Sequence, residues 1–507
     1  MSLTRRQFVT GLAGTGAIVA GASVGASRLL QQRGGTPIPL VTSDLHAMTG
    51  KLRNFSLVAA PTKVDLGGTV VETWAYGNRV PGPVLRATAG DRIKVAFHNQ
   101  LPAPTSVHWH GLAIRNDMDG VPGVTTPPTA AGGRFNFDFV VPDPGTHWFH
   151  PHTGLQMDRG LYAPFIIDDP REPGAYDREW IVVLDDWTDG VGPSPEQNLA
   201  RLQADGGPAH GNGDGMMGGM GGMGGMGGMG GMGGMGGMGG MMSADGGDVS
   251  YPLFLINGRP TNDPEVLAAK PGQRLRVRMI NASADTIYNV ALGDHTLTVT
   301  HSDGYPVQPA LTKSIRIGMG ERYDFTVTLK DGVYPLVAAP VGKTGLARAL
   351  VRTAAGAAPG ASAQPRELDS DPLTADRLRV APGAALPARD PSSTQELILS
   401  GSMAPYVWTI NGATYEHASP LTIRRGETGR FLIRNLSMMS HPMHFHGHTF
   451  QLGGAGGTGP RKDTVLVPPM AAFPIDLQAD NPGRWMVHCH NIYHAEAGMM
   501  TRLDYVS

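Results

Sequence analysis

The chain has 507 residues, too many for one hydrophobic core and enough for about three domains. Its formal net charge of −2 lacks the basic balance that marks a nucleic-acid partner. A single cysteine excludes an internal disulfide, and short alternating segments punctuated by 71 glycines and 41 prolines predict an all-β fold.

Thr4-Arg5-Arg6-Gln7-Phe8 opens the chain with a twin arginine, and a Gly/Ala-rich apolar run from Val9 to Ala26 follows. Residues 1–36 read as a twin-arginine export signal and tail, with small residues for cleavage at Val24-Gly25-Ala26. The mature protein is then expected in the periplasm, cell envelope or extracellular space. No other segment is long and apolar enough to span a bilayer, so no stable membrane insertion is expected after cleavage.

Three internal echoes follow. Gly90 to Asn99, Gly272 to Asn281 and Gly426 to Asn435 each read as a glycine turn, an alternating strand and a closing asparagine. Each has a similar lead-in: Tyr76-Gly77-Asn78, Ile256-Asn257-Gly258 and Ile410-Asn411-Gly412. Repeats this far apart predict three copies of one domain, each long enough for a Greek-key β-sandwich. The expected boundaries are 37–170, 171–353 and 392–507, with a Pro/Ala-rich linker at 354–391.

The second domain carries a Gly-Met-rich insert over 206–247, with repeated Gly-Gly-Met from Met216 to Met242. Glycine loses too much entropy on ordering, and only thioethers are apolar here, so this stretch is expected to be a disordered loop. Thioethers favour Cu(I), which makes it a candidate soft-metal trap; a plain linker is the alternative.

The chemistry concentrates in four histidine clusters. They are His108-Trp109-His110, His150-Pro151-His152, His441-Pro442-Met443-His444-Phe445-His446, and His488-Cys489-His490 with His494 and Met499. On an extended strand, alternate side chains share a face. His488 and His490 are therefore expected on one face and Cys489 on the other, holding two metal sites back to back. Imidazole suits copper, and a thiolate with two imidazoles and a distant thioether is a blue-copper set.

With these motifs the chain resembles the multicopper oxidases, the family of laccases, bilirubin oxidases and bacterial cuprous oxidases, over nearly all of the mature sequence. The resemblance implies three cupredoxin-like domains and four copper ions: one type 1, one type 2 and two type 3. By matching positions, type 1 copper would take His441, Cys489 and His494 with Met499 axial. Type 2 copper would take His108 and His444. One type 3 ion would take His110, His150 and His490, and the other His152, His446 and His488. The cluster would lie between the first and third domains, with the second as a ligand-free spacer.

Asp119 stands where family members carry a proton-relay acid. The position for a second acid, directly after His494, holds Ala495, and Glu496 comes next. Copper-tolerance members carry an Asp-x-Met step before the first type 1 histidine. Here the matching positions are Ser437 and Met439, with Met438 between them, as possible contacts for substrate Cu(I). His98, His147, His295, His301 and His417 read as surface or polar-network residues, and His448 as a non-ligand. The expected activity is oxidation of Cu(I), with phenols as the close alternative, coupled to reduction of O2 to water by a monomer. A copper-buffering protein without turnover is the rival from another class.

Overall fold

The three echoes are the middle strands of three sheets. Arg92–Asn99, Arg274–Asn281 and Thr428–Asn435 each pair in parallel with an earlier strand, Leu52–Asp65, Arg178–Trp187 and Ser393–Met403 respectively. Each also pairs antiparallel with a later one, Arg134–Val140, Arg322–Thr328 and Ala472–Gln478. These relations come from a computed structural model that describes residues 36–44, 46–172, 174–205 and 246–507. The expected export signal and almost all of the Gly-Met insert lie outside the described residues. Among the described residues, no helix is long and apolar enough to cross a membrane.

The closing asparagines are locks. Asn99 Nδ2 donates to the carbonyls of Ala103, Thr129 and Ala130. Asn281 reaches Thr286 and Ile317, and Asn435 reaches Met439, Val467 and Pro468. Each amide oxygen also accepts the backbone N–H two residues on. One side chain thus satisfies the buried loop backbone where the strand ends. In the lead-ins, Asn78, Asn257 and Asn411 take positive φ angles of 62°, 53° and 55°, a conformation that asparagine tolerates better than most residues.

Six sheets result, two per repeat, in three cupredoxin-like Greek-key sandwiches. The first repeat pairs a four-stranded sheet with a second built from Leu85–Thr88, Ala163–Asp168, Gly145–His150 and His108–His110. The middle and last repeats each pair a six-stranded with a five-stranded sheet. Exposure alternates along Arg92–Asn99, as expected for a sheet with one wet face. Arg274–Asn281 is instead buried from Leu275 onward. Its second face meets the first repeat: Arg278 Nη1 donates to Thr146 Oγ1 at 3.2 Å, on the strand that carries His150.

Candidate metal centre

Two strand pairs present the histidines to each other. In the first repeat His108 lies opposite His150 and His110 opposite Trp148. In the third, His444 lies opposite His488 and Met443 opposite Cys489. The repeats meet face to face: His108 stacks on His446 and His110 on His444, both at 3.8 Å between ring centres. Of the eight rings, seven are buried and His152 is half-buried.

Donor atoms within 4.8 Å of one another define the groups His108/His110/His444, His110/His150/His490, His152/His446/His488 and His441/Cys489/His494; His108 also groups with His150 and His152. The strand alternation holds. His488 and His490 join two histidine groups, and Cys489 joins His441 and His494 on the other face.

The donor set fits metal. Nε2 of His108, His152 and His444 and both ring nitrogens of His490 are buried without a hydrogen-bond partner. Buried polar atoms are almost always paired, and an orphan costs about 1–3 kcal/mol. Meanwhile the outer nitrogens are occupied. Nδ1–H of His108, His444, His150 and His488 donates to the carbonyls of Asp119, Asp463, Pro151 and Cys489, at 2.9, 3.0, 3.1 and 2.8 Å. These acceptors fix each tautomer and leave an inner lone pair free. Burial also pushes the imidazoles of His110, His150, His152, His446, His488 and His490 well below the usual histidine range, so the rings stay neutral.

The third-repeat group is likewise held from its outer nitrogens. His441 Nδ1 and His494 Nδ1 lie 3.0 Å apart, each 3.7 Å from Cys489 Sγ. The outer nitrogens are again held, His441 Nε2 by Ser437 Oγ at 2.7 Å and His494 Nε2 by Asp248 Oδ2 at 2.8 Å. Met499 is fully buried, with its carbonyl accepting from Cys489 N and its N–H donating to His494 O. A cysteine sulfur with two imidazole nitrogens is a soft set suited to copper.

Asp119 is buried at the end of the short turn Asn116–Met118, with Oδ2 3.1 Å from His446 Nδ1 and Oδ1 3.2 Å from His108 Nδ1. Glu496 is exposed at the end of the helix Ile492–Glu496, and no hydrogen bond joins it to the eight histidines among the described residues. Met438 is 65% exposed, and Met439 is half-buried against the third-repeat core. His448 bonds the His446 carbonyl and Tyr505. His147 departs from expectation: it is fully buried on the strand that carries His150, with neither ring nitrogen partnered.

The middle repeat supplies no ligand to the groups named above, yet it is more than a spacer. Asp248 holds His494, and Arg322 pairs with Asp463 against His110. Neither residue sits in a histidine motif, so no local pattern pointed to them.

A sandwich of this kind with a cysteine–imidazole group joined through adjacent residues to a polyhistidine cluster is the frame of a redox metalloprotein. Profiles described as multicopper oxidase match residues 58–172, 238–357 and 388–506. The chain is 49% identical to the multicopper oxidase MmcO of Mycobacterium tuberculosis, over 90% of this chain and 88% of that one. It is 28% identical to a copper resistance protein A homolog of Pseudomonas syringae pv. tomato, over 88% and 91%. A crystal structure of a multi-copper oxidase from Pseudomonas thermotolerans superposes with a TM-score of 0.66 at 26% identity, covering 90% and 99%. The chain belongs to the multicopper oxidase family, and it is an oxidoreductase.

Proposed function

We propose that this protein is exported and oxidises Cu(I), with small phenols as slower donors, while reducing O2 to water. One observation carries the proposal: three consecutive side chains, His488, Cys489 and His490, belong to three different donor groups. In this reading His441, Cys489 and His494 hold type 1 copper with Met499 axial. His108 and His444 hold type 2 copper. His110, His150 and His490 hold one type 3 ion, and His152, His446 and His488 the other. When bound, copper supplies one-electron exchange at the thiolate group and four-electron reduction of O2 at the cluster.

The chain's own residues do the rest. Cys489 is joined covalently to His488 and His490, and its carbonyl also accepts from His488 Nδ1, so the path between the groups is short. Burial keeps bulk water from the cluster. Asp119 holds a proton-exchanging carboxylate against His446.

The preference for Cu(I) over bulky phenols rests on access. His441 and His494 are both fully buried. A donor therefore reaches them through the residues bonded to their outer nitrogens. Ser437 is one such residue, and the next side chain, Met438, is an exposed thioether suited to Cu(I). Steady-state rates for Cu(I), a bulky phenol and bilirubin, measured with O2 uptake, test this. Cu(I) should be fastest, with four electrons per O2 and no peroxide released. Faster phenol turnover would reverse the donor order, and absence of turnover would leave a copper-buffering protein.

The axial assignment makes its own prediction. Met500 pairs opposite His488 on the strand Met500–Tyr505, one residue beyond Met499. Met499→Leu, close in volume but non-coordinating, should raise the type 1 potential at little packing cost, and Met500→Leu should not. Potentiometric titration of the blue band checks both, and the opposite pattern would exchange the two methionines.

A further inference from the structure

Two aspartates flank the histidine cluster in matching ways. Asp119 gives its carbonyl to His108 Nδ1 and its carboxylate to His446 Nδ1. Asp463 gives its carbonyl to His444 Nδ1 at 3.0 Å, and its Oδ1 lies 3.1 Å from His110 Nε2. The rings so held are the two stacked pairs, His108 on His446 and His110 on His444. The match ends at the carboxylates. Among the described residues no lysine or arginine pairs with Asp119, whereas Asp463 is gripped by Arg322.

That grip comes from the middle repeat. Arg322 opens the strand Arg322–Thr328, and its guanidinium donates Nη1 to Asp463 Oδ1 at 2.7 Å and Nη2 to Oδ2 at 2.5 Å. Nε donates to the Thr146 carbonyl at 3.0 Å, and Nη1 also to the Gly320 carbonyl at 3.1 Å. Thr146 lies on the strand that bears His150, and Gly320 packs against the rings of His490 and His110. One side chain thus touches all three repeats around the cluster. Both partners are fully buried.

The surroundings reinforce the pair. Asp303 accepts the N–H of Arg322 and of Thr464, and Lys462 bridges Asp303 and Glu321 at 3.1 and 3.2 Å. Gly111, next to His110, has φ of +84°, and a Cβ there would lie 2.4 Å from Arg322 Nη2 and 2.7 Å from Asp463 Oδ2. Glycine after the first histidine motif is therefore the space that lets the fork close on Asp463. A carboxylate held at both oxygens by one guanidinium suits orientation.

We propose that Arg322 is a positioning residue for the type 2 copper: its fork fixes the Asp463 carboxylate, whose Oδ1 lies 3.4 Å from His444 Nδ1 and 3.1 Å from His110 Nε2, and so sets the orientation of both rings. This rests on the assignment of His108 and His444 as type 2 ligands. A planar bidentate grip is what lysine cannot supply, so Arg322→Lys keeps the charge and loses the geometry. Asp463→Asn is the second variant; it removes the anion and keeps an acceptor for Arg322. Arg276→Lys serves as control, since Arg276 is also buried in the middle sheet and pairs with Asp324, and among the described residues no hydrogen bond joins either one to the eight clustered histidines.

The experiment reads copper per chain, the blue band and the type 2 electron paramagnetic resonance signal of copper-loaded protein. Arg322→Lys and Asp463→Asn should each lose or shift the type 2 signal, with copper falling by up to one ion per blue centre. The blue band should persist, and O2 reduction should fall at least tenfold. Arg276→Lys should change none of these. A normal type 2 signal in either folded variant overturns the proposal, as does the same loss in Arg276→Lys, which would mark a general effect of weakening the sheet. His444→Ala separates the underlying assignment: a type 2 signal that survives it means that His444 is not a ligand, whatever Arg322 does.

Discussion

Cys489→Ser is expected to abolish the blue colour and all oxidase turnover while leaving the fold in place. Cys489 is the only thiol in the chain, and its Sγ stands 3.7 Å from the facing nitrogens of two buried imidazoles. A serine oxygen is hard where the site needs a soft, polarisable donor, so charge transfer to copper is lost with the sulfur. The structural cost is small. The side chain is buried in the third-repeat core, and an unsatisfied hydroxyl there costs about 1–3 kcal/mol, below the stability of an ordinary domain. Copper should fall by about one ion per chain, with the type 2 signal retained, because the histidines flanking residue 489 face the other way. Absorbance, metal analysis and circular dichroism on one preparation decide it. A variant that stays blue would remove Cys489 from the metal site.

How far this was legible in sequence depends on the range of each interaction. The faces of His488, Cys489 and His490 follow from strand alternation, which is local, and the structure places them as alternation requires. The repeats were visible because each middle strand ends in an asparagine that must satisfy the same loop carbonyls. What stayed hidden crosses between repeats. Arg322 and Asp463 are 141 positions apart, and Asp248 and His494 are 246 apart. Periodicity gives the face of a strand but not the partner beyond it. His147 was misjudged for the same reason: its strand, Gly145–His150, is buried on both faces because the middle sheet covers one of them. Glu496 looked like a substitute acid by proximity in sequence. The short helix turns it to solvent, while Ala495, in the family's acid position, is buried.

Asp119→Asn should slow O2 reduction by about 10²- to 10³-fold, within the range for loss of a positioned proton carrier. Asparagine keeps the size of the side chain and an oxygen that can still accept from His446 Nδ1, so the ring should hold its place. The Asp119 carbonyl that orients His108 is untouched by the change. What disappears is the carboxylate, the proposed proton carrier, at 3.1 Å from a cluster histidine. Reduction of the type 1 group under anaerobic conditions needs no proton delivered at the cluster, and it should proceed at the wild-type rate. Rapid mixing of reduced enzyme with O2, beside anaerobic reduction by excess donor, separates the two steps. If both are unchanged, Asp119 serves only to orient His108 and His446. If both slow together, the substitution has disturbed the site as a whole. Slow reoxidation alone leaves the carboxylate as the proton carrier, in contrast to Asp463, whose charge Arg322 holds fixed on the opposite flank of the same cluster.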